Sequence, residues 1–383
     1  MKIVAVETFI LHVPVTGSHI ADSVHSITHW GAPGALIRTD AGIDGYGYTG
    51  THAHLPTDHL ITGFIADTAT PLLIGEKLES ATDIERLWRK VYHHPPAQWI
   101  GRAGISHLAL AAIDIALWDI VAKLAGQPLW KLLSGDSRSG DSCVEPKPLE
   151  AYNTDGGWLN LEQAQLVDNA QRLVDEGFYG IKMKIGLPEI AADVARIAAV
   201  RGAIGQSVKL MVDANGKLDL ATALQYEPHL REHDIYWVEE PLWYDDVQAH
   251  RELAAATQTP VALGEQLYSA YDFLNFMNAD AVRFVQADAT RLAGISEWRR
   301  VADAAHKRGL PVVPHAGDMS QIHIHPALAH PACAMLEYIP WLRECFTEPV
   351  KVRDGYFEWP QQPGVGATLR DDALERFGVL SWP

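Results

Sequence analysis

Cysteine is scarce in this 383-residue chain: Cys143, Cys333 and Cys345 stand far apart and form no Cys-x-x-Cys pair. An odd, scattered set argues against a disulfide framework and fits a reducing compartment. Positive charge is also in short supply. Against 48 Asp and Glu there are 31 Lys and Arg, a formal net charge of −17. A surface that acidic repels phosphate backbones and excludes nucleic acid as a partner. A small anionic substrate stays compatible, because a bound metal sets its own local field. No stretch reads as a membrane span, so no membrane partner is expected. The first ten residues, Met1 to Ile10, hold one lysine and no uninterrupted apolar core. They read as a strand rather than a signal peptide, and the protein reads as cytoplasmic.

What is present is a soluble globular balance, 48% apolar and 21% charged, in a chain long enough for two domains. Residues 1–15 alternate toward a strand. Residues 16–34 are rich in His, Ser and Gly without a period and read as a mobile surface loop. Residues 35–48 read as two strands around an Asp/Gly turn, followed by a second loop over Thr49 to Pro56. From 57 to 125 the pattern is helical, most clearly from Gly104 to Leu124, where Asp114 and Asp119 interrupt an apolar surface and Gly126-Gln127-Pro128 ends the helix. Trp118 in that stripe reads as core packing.

After about residue 145 short strands alternate with helices. The expected strands are Leu149–Tyr152, Gly180–Lys184, Lys209–Asp213, Tyr236–Glu239, Val261–Glu265, Val282–Gln286, Pro311–Val313 and Met335–Glu337. Eight such strands predict an α/β fold, a (β/α)8 barrel.

The polar residues fall on those strands in a pattern. Lys182 and Lys184 share one strand face and point into the barrel. Asp213, Glu239 and Glu265 end three successive strands, and each is 26 residues from the next. One βα unit advances the chain by one strand, so three acids in the same phase meet at the C-terminal mouth. Three carboxylates in one pocket repel, and a hard divalent cation resolves that; all-oxygen ligation with open positions fits Mg²⁺. Asp288 and His315 end the next two strands and can pair, the carboxylate orienting the imidazole. Glu337 lies on the eighth. A metal-bound carboxylate has an acidified α-proton, so this set points to proton abstraction beside a carboxylate.

This series resembles the enolase superfamily and, within it, the mandelate racemase subgroup; the Lys or His base and Mg²⁺-stabilised enediolate are a known worked case for that superfamily. The resemblance spans nearly the whole chain. It implies an α+β capping domain over 1–125, completed by part of 350–383, and a TIM-type barrel over 126–349. It implies Lys184 as base, Lys182 as its pKa-lowering neighbour and a contact for the substrate carboxylate, and Asp213, Glu239 and Glu265 as metal ligands. It further implies an Asp288–His315 dyad, Glu337 hydrogen-bonding the substrate carboxylate, and Asn215 as a polar substrate contact. Members are commonly symmetric assemblies, so a symmetric homo-oligomer is implied as well.

Racemases and acid-sugar dehydratases share these residues, and the capping loops separate them. The first loop offers His19, Asp22, Ser23, His25, Ser26, Thr28 and His29; the second offers Thr49, Thr51, His52 and His54. A hydrogen-bonding lid, with His25, His29 and His52 as substrate contacts, suits a polyhydroxylated acid. The reading is therefore dehydration of an aldonate or aldarate to a 2-keto-3-deoxy acid. A racemase or epimerase uses the same enediolate. Gly45-Tyr46-Gly47-Tyr48-Thr49-Gly50 and Gly101-Arg102-Ala103-Gly104-Ile105-Ser106 also resemble anhydro-sugar-acid cycloisomerases. A binding barrel without turnover is a third reading, opposed by the intact base, ligand and dyad set. Glu240, taken alone, reads as a helix cap or solvated loop residue. His93-His94 and His323-x-His325 lack the cysteine or HExxH context of a zinc site.

Overall fold

The computed structural model describes the chain except residues 16, 53, 136–146, 317–319 and 380–383, so Cys143 lies outside the described residues. Its first strand, β1 (Ile3–Pro14), leads to two short strands, β2 (Ile20–Ala21) and β3 (Ser26–Ile27), that pair with each other. Then β4 (His29–Thr39) and β5 (Gly45–Tyr48) join β1 in an antiparallel sheet of order β1-β4-β5. The expected loop over 16–34 is thus a small hairpin running into a strand. The Asp22 carboxylate explains it, accepting from the backbone N–H of Val24 at 2.7 Å and His25 at 2.6 Å to cap the turn.

Helices α1 (Thr57–Phe64), α2 (Thr70–Leu73), α3 (Ala81–Tyr92), α4 (Pro95–Ile100) and α5 (Ile105–Leu124) complete the capping part, and α6 (Leu129–Gly135) leads out of it. On α3, Ile84, Leu87, Trp88 and Val91 recur at helical spacing and are buried, with Ser80 as N-cap. By length and composition α5, at 20 residues, could cross a membrane, contrary to the expectation of no such stretch; 89% of its apolar window is buried inside the protein, which makes it a core helix. Its interrupting acids are buried fasteners. Asp114 accepts from Ser296 N at 2.9 Å and Ser296 Oγ at 2.6 Å. Asp119 accepts from Tyr46 N and Val365 N. Trp118 is buried, and its indole donates to Ser296 Oγ.

The barrel strands are β6 (Glu150–Asn153), β7 (Gly180–Lys184), β8 (Lys209–Asp213), β9 (Ile235–Glu239), β10 (Val261–Leu263), β11 (Phe284–Val285) and β12 (Met335–Tyr338), parallel in that order from β6 to β11. Between them run α7 (Gln163–Asp175), α8 (Ile190–Ile204), α9 (Leu220–Glu232), α10 (Val247–Ala256), α11 (Ala270–Asn278), α12 (Ile295–His306) and α13 (Ser320–Ala329). The expected strand Pro311–Val313 is reduced to single bridges from Val312 to Val285 and to Cys333. Prolines at 311 and 314 lack the N–H that a longer ladder needs. With β12 pairing β6, the ring closes. Its interior is filled by Tyr152, Met211, Trp237, Ala262, Val313 and Met335.

Near the end of the chain, β13 (Val352–Arg353) and β14 (Tyr356–Phe357) form a hairpin on β6, while α14 (Ala373–Phe377) packs on β1.

Candidate active site

Strand alternation sets the site. On β7, Lys182 and Lys184 turn inward, and both are buried. The acids Asp213, at the end of β8, Glu239, at the end of β9, and Glu265, two residues past β10, converge: a ligand oxygen from each lies within 4.8 Å of the others. Among the described residues no other group of His, Cys, Asp and Glu has that arrangement. His323 and His325 are instead buried in α13. His323 Nε2 lies 3.0 Å from Asp288 Oδ1, and His325 accepts from Trp130 N.

The carboxylates are crowded and oriented. Asn215 N donates to Asp213 Oδ1 at 2.9 Å. Glu239 Oε2 accepts from Trp237 Nε1 at 3.1 Å and Gln286 Nε2 at 2.6 Å. Lys182 Nζ bonds Glu239 and stands 3.0 Å from Glu337 Oε1, while Lys184 Nζ donates to Asp213 Oδ2 at 2.5 Å. Burial, with the charges of Asp213 and Glu337 adding to it and Lys182 opposing, pushes Glu239 up to about 7. Burial works against the charge on Lys184, but Asp213, Asp22 and Glu265 together outweigh it and the ammonium is held above its ordinary range; Lys182 pulls the other way. An all-oxygen, anionic, crowded donor set is what a hard dication requires, so the residues fit Mg²⁺.

Across the barrel mouth, His315 Nδ1 lies 2.7 Å from Asp288 Oδ2, and its Nε2 lies 3.0 Å from Glu265 Oε2. Burial opposes the imidazolium, but Glu265 and Asp288 hold it up to about 9. Thr290 N and Oγ1 both donate to Asp288 Oδ1. Glu337 accepts from Thr154 Oγ1 at 2.5 Å and Ala316 N at 3.1 Å.

A cavity of about 350 Å³ joins these groups to the lid. Lys182, Lys184, Asn215, Glu265, His315 and Glu337 line it, as do His25 and His52. His29 does not. It opens β4 with its ring exposed, and alternation turns the next residue, Trp30, inward instead. Val24, Ile27, Trp30, Trp158 and Ile339 give the cavity an apolar wall, so the lid is less uniformly hydrogen-bonding than its composition implies. The lid is docked: Leu159 N donates to Ala21 O, Ala21 N to Asn160 Oδ1 and Ser23 Oγ to Ala214 O.

Sequence reasoning missed Gln286, Arg291 and the burial of Glu240. The first had a signal, since it shares a strand face with Asp288. Glu240 is buried on the cavity lining rather than solvated, because its backbone turns back at φ 38° directly after β9. Burial, then Glu265 and Asp213, push its carboxyl well above the usual range.

Comparison with known proteins matches residues 5–134 to the mandelate racemase/muconate lactonizing enzyme N-terminal domain and residues 165–373 to the enolase C-terminal domain-like family. The chain belongs to the mandelate racemase and muconate lactonizing branch of the enolase superfamily. It is 36% identical to the L-talarate/galactarate dehydratase of Salmonella typhimurium, over 88% of this chain and 80% of that one. A structure of that enzyme liganded with Mg and L-lyxarohydroxamate superposes with a TM-score of 0.88, at 33% identity over 99% of this chain and 93% of that one. The arabinonate dehydratase of Saccharolobus solfataricus is 33% identical over 90% of each chain. The 3,6-anhydro-alpha-L-galactonate cycloisomerase of Streptomyces coelicolor is 30% identical over 98% of this chain and 99% of that one.

Proposed function

We propose that the protein is a Mg²⁺-dependent lyase that dehydrates an acid sugar to a 2-keto-3-deoxy acid. The observation that carries this reading is one cavity lined by Glu265 of the carboxylate triad, by the lysine pair and by a carboxylate-held histidine. Mg²⁺ held by Asp213, Glu239 and Glu265 would supply the positive charge that acidifies the proton beside the substrate carboxylate. Lys182 faces that carboxylate, with Glu337 as its hydrogen-bonding neighbour. Asp213 holds Lys184 as the ammonium; Mg²⁺ on Asp213 would take up that negative charge, and Lys182 beside it would then favour the neutral amine that accepts the C2 proton. His315 is the other candidate for that proton. As imidazolium it donates to the C3 hydroxyl, which departs as water, and the resulting enol becomes the ketone. Asp288 keeps the imidazole in place throughout.

The test is incubation of Mg²⁺-loaded protein with mono- and dicarboxylic sugar acids, read as 2-keto acid formed. Lys184→Ala should abolish product from substrates on which Lys184 is the base; full retention of activity would move that role to His315. Absence of keto product from every acid counts against dehydration. Cycloisomerisation or racemisation is the second reading, favoured by the end-to-end match to the cycloisomerase. Racemisation predicts C2 deuterium uptake in D₂O without keto product; cycloisomerisation predicts keto product only from an anhydro acid, by opening of its ring with no loss of water.

A further inference from the structure

The lid side of the cavity differs in chemistry from the lysine side. Its cationic side chains already donate to acceptors of the protein. His25 Nδ1 pairs with Asp22 Oδ2 at 2.9 Å, and Asp22 also lines the cavity. Arg291 donates from Nε to Glu265 O at 2.5 Å and from Nη2 to Gln266 Oε1 and Tyr268 OH, both at 3.0 Å. The His54 ring is bonded to Thr57 Oγ1. Glu240 brings no positive charge.

What that side does offer is buried and, among the described residues, unpartnered: both ring nitrogens of His52 and Oδ1 of Asn215. His52 lies in the left-handed region at φ 53°, with its ring 3.9 Å from the Trp30 ring and 6.5 Å from that of His315, centre to centre. A non-glycine residue is held in that conformation only when its surroundings over-determine it. Burial keeps the His52 imidazole uncharged, well below its ordinary range, so it presents one donor and one acceptor. A donor–acceptor pair matches a hydroxyl. A carboxylate only accepts, so it leaves Asn215 Oδ1 and the acceptor nitrogen of His52 without a donor, and desolvating it beside Asp22 is costly.

We infer that the site takes a monocarboxylic sugar acid, whose hydroxylated tail is received by His52 and Asn215 against Trp30, and that it discriminates against dicarboxylates. The inference rests on the acid-sugar reading in placing the single carboxylate beside Lys182. It separates this chain from the relative named for talarate and galactarate, which are dicarboxylates, and places it with those named for arabinonate and anhydrogalactonate.

The experiment is calorimetric binding, with turnover measured alongside, of matched aldonate and aldarate pairs that share C2–C5 configuration, on Mg²⁺-loaded protein. The best-bound aldonate should exceed its aldarate by about 100-fold, the scale of one uncompensated charge. Equal or tighter binding of the aldarate overturns the inference and points to Arg291 as a distal anchor. Failure of every aldonate to bind overturns it too. Aldonate preference without keto product or deuterium exchange leaves the inference standing and sinks the dehydration reading instead. His52→Ala should raise KM about 10-fold or more with little change in kcat, and Asn215→Ala should act in the same direction. His52→Asn tolerates the left-handed backbone, keeps a donor and an acceptor, and should stay within about 3-fold of the parent. A His52→Ala protein that folds and keeps the parental KM removes His52 from the tail site.

Discussion

Glu239 is the proposed metal ligand with the most complete surroundings. Trp237 and Gln286 both aim N–H groups at its Oε2, leaving Oε1 toward Lys182. Such outer contacts orient a ligand and typically govern metal affinity by 10- to 100-fold. Gln286→Leu should therefore weaken Mg²⁺ binding by about 10-fold or more while leaving the fold intact; isothermal titration checks it, and an unchanged affinity would mean Trp237 alone sets the carboxylate. Lys182, Lys184, Asp213, Glu239, Glu265, Asp288, His315 and Glu337 were legible in the sequence because period-2 strands and evenly spaced βα units leave a phase to read. Gln286 stood in that phase, but its partner lies two strands away, where no local pattern points to it. His29 was grouped with the lid because residues 16–34 show no period to read; β4 begins at His29, and its alternation turns Trp30 inward instead.

The contact between β5 and α5 shows how an element can resemble a motif and be a packing device. An added Cβ at Gly47 would lie 2.0 Å from Ala112 O and 2.6 Å from Ala116 N, both backbone atoms of α5. The Gly-Tyr-Gly-Tyr run therefore holds strand against helix. Gly47→Ala should cost about 1–3 kcal/mol or more, since neither backbone can yield; chemical denaturation measures it. Within α5, burial pushes Asp114 up to about 7 despite the two bonds from Ser296. A carboxyl raised on folding contributes stability that is full below the unfolded value of 3.8 and is lost as pH rises through about 7. Melting temperatures of the parent minus Asp114→Asn should accordingly fall as pH rises from 5 to 9. A flat difference would mean the carboxyl stays ionised throughout. The helices themselves were readable from apolar spacing. The buried acids that fasten α5 to the barrel were visible only as interruptions, because Ser296 lies far along the chain.

In the whole molecule the lid is positioned by the barrel as much as by its own turn. A Cβ at Gly186 (φ 111°) would approach Ser23 Cβ to 2.8 Å, so the βα loop after β7 leaves room for the lid to dock. Gly186→Val should raise KM several-fold by displacing that contact, with steady-state kinetics as the check. Barrel architecture was legible from the alternation of strands and helices; the weakness of its seventh strand was not, although Pro311 and Pro314 marked it. That weakness has a consequence for how the ring moves. Between β7 and β8 the ladder runs through five residue pairs, from Gly180 with Lys209 to Lys184 with Asp213. Around Val312 it is single bridges on both sides. Asp288 and His315 flank that seam, whereas the lysines and the first two acids stand on the continuous ladder. Amide hydrogens near 285 and 312 should exchange with solvent faster than those of β7 and β8, giving an active site with one stiff wall and one that breathes. The histidine proposed to protonate the leaving hydroxyl sits on the wall that breathes.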